Sequence, residues 1–281
     1  MMTACSPQAL LQRRMADALA AQGQTAEDDL GLAREASAFY LKLSESVLRQ
    51  TPGHLPLAES VASGFTQYAY AFVAFDADRI ESTDAKAARR LRERAARLYL
   101  RAYRHAMAAL ELHTPGIGQW LANPGADAAA PAIRLRDDEV GVAYWAAAAW
   151  GGHISLSTDN PEAVAGLPGA MRLARLAWQR NPDFADGGLA SLMGTFEIAR
   201  PGGTAQQAQA YFDQALAASH GRSAGPLVAQ AENIALASGD RPAFEALLQR
   251  ALAVAAQRRD LPNEVMAQRA QWLLDTIDER F

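Results

Sequence analysis

The stretch DEVGVAYWAAAAWGGHISLS, residues 138–157, decides the fold class. No Asp, Glu, Lys or Arg occurs from Val140 to Thr158. The run is nonetheless weakly apolar. Its strong hydrophobes are Val140, Val142, Ile154 and Leu156, and Ala, Gly, Ser and aromatic residues fill most of the rest. A membrane span needs about 20 predominantly apolar residues, and here Gly151, Gly152, His153, Ser155 and Ser157 crowd the second half. The segment therefore reads as a helix buried on nearly all sides in a helical protein. Ala146 to Ala149 and Gly151–Gly152 leave room for neighbouring backbones. Two consecutive glycines cost a helix about 2 kcal/mol relative to alanine, so close packing or a kink must offset them. Trp145, Ala149, Gly152 and Leu156 trace one face, and Tyr144, Ala148, Gly151 and Ser155 the next. Trp145 and Trp150 point about 140° apart on a helix, so they cannot line one narrow surface. Both are expected mainly in the core.

The wider composition supports an all-α chain. Half of the 281 residues are hydrophobic and 21% are charged, ample for a sizeable core. Alanine is commonest, Leu, Glu, Gln and Arg are plentiful, and no stretch alternates as a strand would. A net charge of −4 argues against a general nucleic-acid surface. The only basic cluster, Arg89–Arg104, reads as a solvated helix face with Leu91, Ala95, Leu98 and Ala102 turned inward.

Prolines set a longer rhythm. Pro52 and Pro115 stand 63 residues apart, and Pro115 and Pro182 stand 67 apart. Each interval is close to two helix-pair units of about 34 residues. The clearest unit carries Phe184, Gly187, Leu189, Gly194 and Phe196, then Ala208, Phe212 and Ala215-Leu216 in a partner helix. Small residues there let paired helices approach, and each pair needs its neighbours to bury its face. The pattern predicts a TPR-like antiparallel helix-pair array, an α-solenoid of about ten helices. They fall near 28–50, 56–75, 84–112, 138–157, 167–180, 185–199, 204–219, 225–238, 240–258 and 262–280. Residues 114–137 read as a long loop with Trp120, three prolines and three glycines, and such loops are usually functional or mobile.

No catalytic constellation emerges. His54, His105, His113, His153 and His220 form no HExxH motif, and the single cysteine offers no zinc spacing. Gly202-Gly203 is too short to cradle phosphate and reads as an inter-helix turn. Asp137-Asp138-Glu139 reads as acids at a helix start, favoured by the macrodipole. The expectation is no enzyme, no cofactor and no metal. At the N-terminus, Met2-Thr3-Ala4-Cys5-Ser6 is either the tail of a lipobox, with Cys5 lipidated, or a chance cysteine near a disordered start.

Several of these segments carry a family resemblance. Tyr144 to Gly151, Ile154 to Ser157 and Asn160-Pro161-Glu162 resemble the TRAP-transporter-associated T-component (TatT) family. So do Phe39-Tyr40 with Ser44-Glu45 and Pro52, Ala58 to Tyr70, Pro201-Gly202-Gly203 with Ala208 to Phe212, and Asn263 with Ala270 to Phe281. Their order along residues 28–281 is the specific signal. The resemblance implies a periplasmic lipoprotein, held at a bacterial membrane only by lipid on Cys5. It further implies association with the solute-binding protein of a tripartite TRAP transporter, a homo-oligomer with a trimer the expected form, and handling of a small organic or hydrophobic ligand. On this reading residues 1–27 are a leader remnant and tether, and 28–281 the helical domain. The candidate partner or ligand surface is Trp120, Tyr144, Trp145 and Trp150. The competing reading is a free-standing TPR-like module that captures peptides or proteins.

Overall fold

The computed structural model describes residues 7–22, 28–123 and 133–281. Cys5 and the 124–132 portion of the expected loop lie outside the described residues. Among the described residues every regular element is a helix, so the chain is all-α. The helices are α1 (Pro7–Gln22), α2 (Leu30–Gln50), α3 (Leu55–Tyr68), α4 (Phe75–Ile80), α5 (Ala85–His113), α6 (Ile117–Ala122) and α7 (Val140–Ser155). There follow α8 (Pro161–Ala165), α9 (Leu167–Arg180), α10 (Gly188–Ala199), α11 (Ala205–Ser219), α12 (Gly225–Gln230), α13 (Arg241–Gln257) and α14 (Leu261–Asp275). Among the described residues no helix is long and apolar enough to cross a membrane.

Their starts follow capping chemistry. Asp84, Thr204, Asp240 and Asp260 each accept the amide three residues on, at 2.8, 3.2, 3.0 and 3.0 Å. His54 does the same through Nδ1, taking the Leu57 amide at 3.1 Å. Proline occupies the first turn of α3, α8, α12, α13 and α14, where its missing N–H costs nothing.

The described residues form two compact units. The first takes Arg34–Leu173 together with α1, and the second takes Ala174–Phe281 together with the start of α2 up to Ala33. In the first unit α7 packs against α5 and α3. No residue from Val140 to Ile154 is exposed, as the charge-free sequence predicts. The reason is small-residue packing: Ala143, Ala146, Ala147 and Ala149 of α7 and Ala95, Ala102, Ala106 and Ala109 of α5 are fully buried. Gly152 is needed at this contact, because a Cβ there would sit 2.8 Å from the Tyr99 ring. At Gly141 a Cβ would sit 2.1 Å from the Glu59 carboxylate. Burial pushes the Glu59 carboxyl above its ordinary range.

In the second unit the predicted helix pair is present. Gly194 of α10 lies under the Phe212 ring of α11, with a Cβ position 3.0 Å away. Gly187 adopts φ +84 and its Cβ position is 2.4 Å from the Ala215 carbonyl oxygen, so both strain and space demand glycine. Further on, Leu227, Val228, Ala231, Phe244, Leu248, Ala251, Ala270 and Leu273 form one core. Asn263, 3% exposed, ties its polar margin together. Its Oδ1 accepts the Ala224 amide at 3.0 Å, and its Nδ2 donates to the Arg222 and Arg258 carbonyls at 3.0 Å each.

Several boundaries depart from the pattern. The helix expected over 56–75 continues to Ile80, because a π turn over Ala69–Ala74, closed by the Phe75 amide on the Tyr70 carbonyl, joins α3 to α4. The 114–137 segment is not wholly loop. Gly116 turns the chain at φ +85, and Glu111 caps the new start by accepting the Gly116 and Gly118 amides at 2.5 and 3.0 Å. Helix α6 then buries Ile117 and Leu121, one turn apart. Six residues with two prolines and three glycines nearby are too short to register as a helix by periodicity. Part of the segment read as a tether is α1, which buries Ala16 and Leu19.

Candidate functional site

Three of the four aromatic candidates come from α7 and one from α6. Trp145 and Trp150 are half-buried, not core as expected from the sequence. The deep face of α7 is made instead by Val142, Ala143, Ala146, Ala147 and Ala149, and the large rings border it. The reason is steric: an alanine face lets α5 come close, and indoles cannot fit into that gap. Tyr144 and Trp145 touch each other, with ring centroids 4.7 Å apart. Burial raises the Tyr144 hydroxyl pKa to about 12, so it stays protonated near neutral pH.

Trp150 faces elsewhere, as its helical angle requires. Its ring packs 4.7 Å from Tyr103 of α5. Gly166 and Gly169 make room for it, since a Cβ would lie 2.6 Å from the indole Nε1 at the first and 2.4 Å from Cη2 at the second. The Gly169 Cβ position is also 3.2 Å from the carbonyl oxygen of Leu121, which accepts a hydrogen bond from Arg172 Nη2. The structure thus brings α6 and Trp150 of α7 together on the start of α9. Trp150→Ala should destabilise the protein by about 2–3 kcal/mol, somewhat below the figure for a fully buried indole. Thermal melting monitored by circular dichroism checks this, and an unchanged melting temperature would show that the ring contributes no packing.

A second polar centre sits between α2 and α5. Glu45 is 1% exposed. Arg101 grips it with two hydrogen bonds from Nε and Nη2, His105 Nε2 approaches to 2.8 Å and Lys42 Nζ to 2.7 Å. Arg49 adds an ion pair at 3.3 Å. Burial alone would raise this carboxyl's pKa, but the donors from Arg101, Lys42 and His105 outweigh it and hold it well below the usual range. Glu139 is likewise fully buried, accepting Thr114 Oγ1 and the Arg136 amide at 2.7 Å each. Its side chain closes the 114–139 segment, so the start of α7 holds one acid for packing as well as for the macrodipole.

The histidines are committed to structural contacts. His54 caps α3 and bonds Asp17 at 2.8 Å, and His113 donates to the Gly53 carbonyl at 2.7 Å. His220 ends α11 in a left-handed conformation. His153 Nδ1 meets the Ala96 carbonyl at 3.1 Å at the edge of an open cleft of about 500 Å³, which Glu93, Arg97, Ser157 and Asp159 also line. Among the described residues no group of three or more His, Cys, Asp or Glu is placed to hold a metal ion.

Against this geometry, a family model described as the TRAP transporter T-component matches residues 26–281. The chain belongs to the TRAP transporter T-component family. The match spans both compact units, so it covers α7 and the Glu45 centre as well as the Asn263 core. Among curated proteins the chain is similar to an uncharacterized protein of Treponema pallidum (strain Nichols), 25% identical over 286 residues that cover 98% of this chain and 87% of that protein. Membership makes the protein an accessory component of TRAP transport, in a transport-associated, non-enzymatic family.

Sequence reasoning missed Tyr103, Arg101 and Arg172. All three look like ordinary members of arginine-rich or amphipathic helices. Only the Tyr103-to-Trp150 contact and the two buried ion or carbonyl contacts set them apart. It also missed Phe39 as an exposed residue. Phe39 is 75% exposed, and Leu43 one turn later is exposed as well. A reader of the sequence counts both as core by their type.

Proposed function

We propose that this T-component is a periplasmic lipoprotein that docks onto the solute-binding protein of a tripartite TRAP transporter and assists small-molecule uptake. The family match over residues 26–281 carries the reading. An apolar surface on α1 and α2 supports it and supplies a place for contact. Leu10, Leu11 and Met15 of α1 are exposed, as are Phe39 and Leu43 of α2. The two helices are joined by the Tyr40 hydroxyl donating to the Leu19 carbonyl and by Gln12 donating to Gln50 at 3.0 Å. A contiguous exposed apolar patch marks an interaction site, and on this reading these side chains supply it. This surface replaces the Trp120 segment as the favoured contact, because α6 is packed through Ile117 and Leu121.

The chain assembles as a homo-oligomer, with lipid on Cys5 holding it at the membrane. Both are read from the family resemblance. Mass spectrometry of the protein from its native membrane tests the anchor, and a mature chain retaining Met1 and unmodified Cys5 would exclude it.

The docking experiment is direct. Purified protein should bind the solute-binding protein encoded beside it at roughly micromolar affinity or better, about −8 kcal/mol. Phe39→Asp should weaken that binding at least about tenfold, some 1.4 kcal/mol, with helical content unchanged. No association at concentrations well above micromolar, with both proteins folded, would reject the scaffold.

A further inference from the structure

Helix α5 turns a basic face to solvent. From Lys86 to Arg104 every exposed residue of α5 is charged, and all are cations except Glu93. Glu93 is already engaged by Arg89 at 3.2 Å. Two partly buried arginines of the same stretch find acids within their own unit. Arg92 pairs with Asp78 and Glu81, and Arg101 with the buried Glu45. Among the described residues Lys86, Arg90, Arg94, Arg97 and Arg104 pair with no carboxylate.

These five form a row. On a helix that turns about 100° per residue they fall within about 80° of the circumference and span about 27 Å. Lys86, Arg90 and Arg94 follow one another at i, i+4 spacing, where like charges repel and weaken a helix. Folding thus matches Arg89, Arg92 and Arg101 with acids and leaves five cations facing out, in a chain whose net charge is −4. An anionic surface laid along the row would turn that repulsion into attraction.

The chemistry of the face selects the surface. The centre of a protein interface is depleted of charge and enriched in aromatic residues, whereas none of the exposed α5 residues from Lys86 to Arg104 is apolar. A nucleic-acid-binding domain is basic overall, and this chain is acidic. A bilayer of anionic phospholipids asks only for cations presented side by side, and clusters of about 4–8 Lys or Arg on one helix meet that demand.

We infer that the outer face of α5 rests on a membrane surface, with Lys86, Arg90, Arg94, Arg97 and Arg104 against the phosphates of anionic phospholipids. The contact fixes which side of the first unit is turned to the bilayer. It needs neither lipid on Cys5 nor a solute-binding protein, so its failure leaves both of those proposals standing.

The test is co-sedimentation of the full chain, purified without lipid, with vesicles of phosphatidylglycerol or of phosphatidylcholine. The chain should bind phosphatidylglycerol in about 0.01 M salt, more weakly in about 0.15 M and not in about 1 M, as the screening length shortens from about 30 to 8 to 3 Å. Phosphatidylcholine should not bind. Arg94→Gln combined with Arg97→Gln should weaken binding about 30-fold, since each cation at an anionic surface contributes a factor of about five. Arg175→Gln combined with Arg250→Gln removes the same charge from exposed arginines of the second unit and should bind as the wild type does. Circular dichroism should show wild-type helical content in both. Absence of wild-type binding to phosphatidylglycerol in low salt, equal binding to the two lipids, or undiminished binding by the α5 variant overturns the inference. So does an equal loss in the two double variants, or tighter binding to duplex DNA than to vesicles.

Discussion

Glu45→Ala should lower the stability of the first unit by about 3–5 kcal/mol, the cost of removing one partner from a buried ion pair. Glu45 is 1% exposed and Arg101, His105 and Lys42 all converge on it. Without it, the Arg101 guanidinium and His105 ring face each other across a void with no counter-charge. For a chain of this size the melting temperature should fall by about 10 °C. Scanning calorimetry checks this, and a shift of less than about 3 °C would mean that Arg101 and its neighbours are satisfied by solvent.

The same centre fixes a direction for pH. The native Glu45 carboxyl titrates below its unfolded value, because its hydrogen-bond donors outweigh burial. A lowered native pKa contributes stability that is fully present above the unfolded carboxylate value of about 4.3. That contribution is lost as pH falls below it, towards the native pKa. The wild type should therefore lose stability faster than Glu45→Gln when pH drops below about 4. Parallel acid limbs in urea titrations of the two proteins would remove Glu45 from the account.

Asn263→Ala should destabilise the second unit by about 3–4 kcal/mol. The change orphans the Ala224 amide and the Arg222 and Arg258 carbonyls at once. Each buried group left unsatisfied costs about 1–3 kcal/mol, and partial wetting at this margin brings the sum to the lower part of that range. Asn263→Asp should restore the contact with the Ala224 amide but not the two carbonyl contacts, and so recover about a third of the loss. Hydrogen exchange at Ala224 separates these outcomes. Protection of that amide unchanged in Asn263→Ala would sink the assignment.

Much of the helical framework was legible in the residues. The 138–157 run announced a helix enclosed on all sides by its lack of charge. Gly187 and Gly194 announced a close helix pair by their spacing from Ala208, Phe212 and Ala215. Asn263, embedded in an otherwise ordinary amphipathic helix, showed itself only through family resemblance. The candidate site was less legible. Trp145 and Trp150 invite a core assignment because indoles usually supply large buried area, yet alanines took that place where α5 and α7 approach most closely. Phe39 and Leu43 carry no mark in the sequence of being left outside, since exposure depends on which neighbour is absent.

What the sequence by itself determined is the local and periodic part: helix class, most helix boundaries, the caps and the glycines at tight contacts. These follow from residues within a few positions of one another, where propensity and spacing act alone. Only the tertiary structure decided the pairing of distant charges. Glu45 meets Arg101 across 56 positions, and Arg172 meets Leu121 across 51. A charged residue on a helix looks the same in sequence whether it faces water, an opposite charge or none. Folding alone chooses among the three, because the energy of a charge is set by what is packed beside it and by how much water is removed.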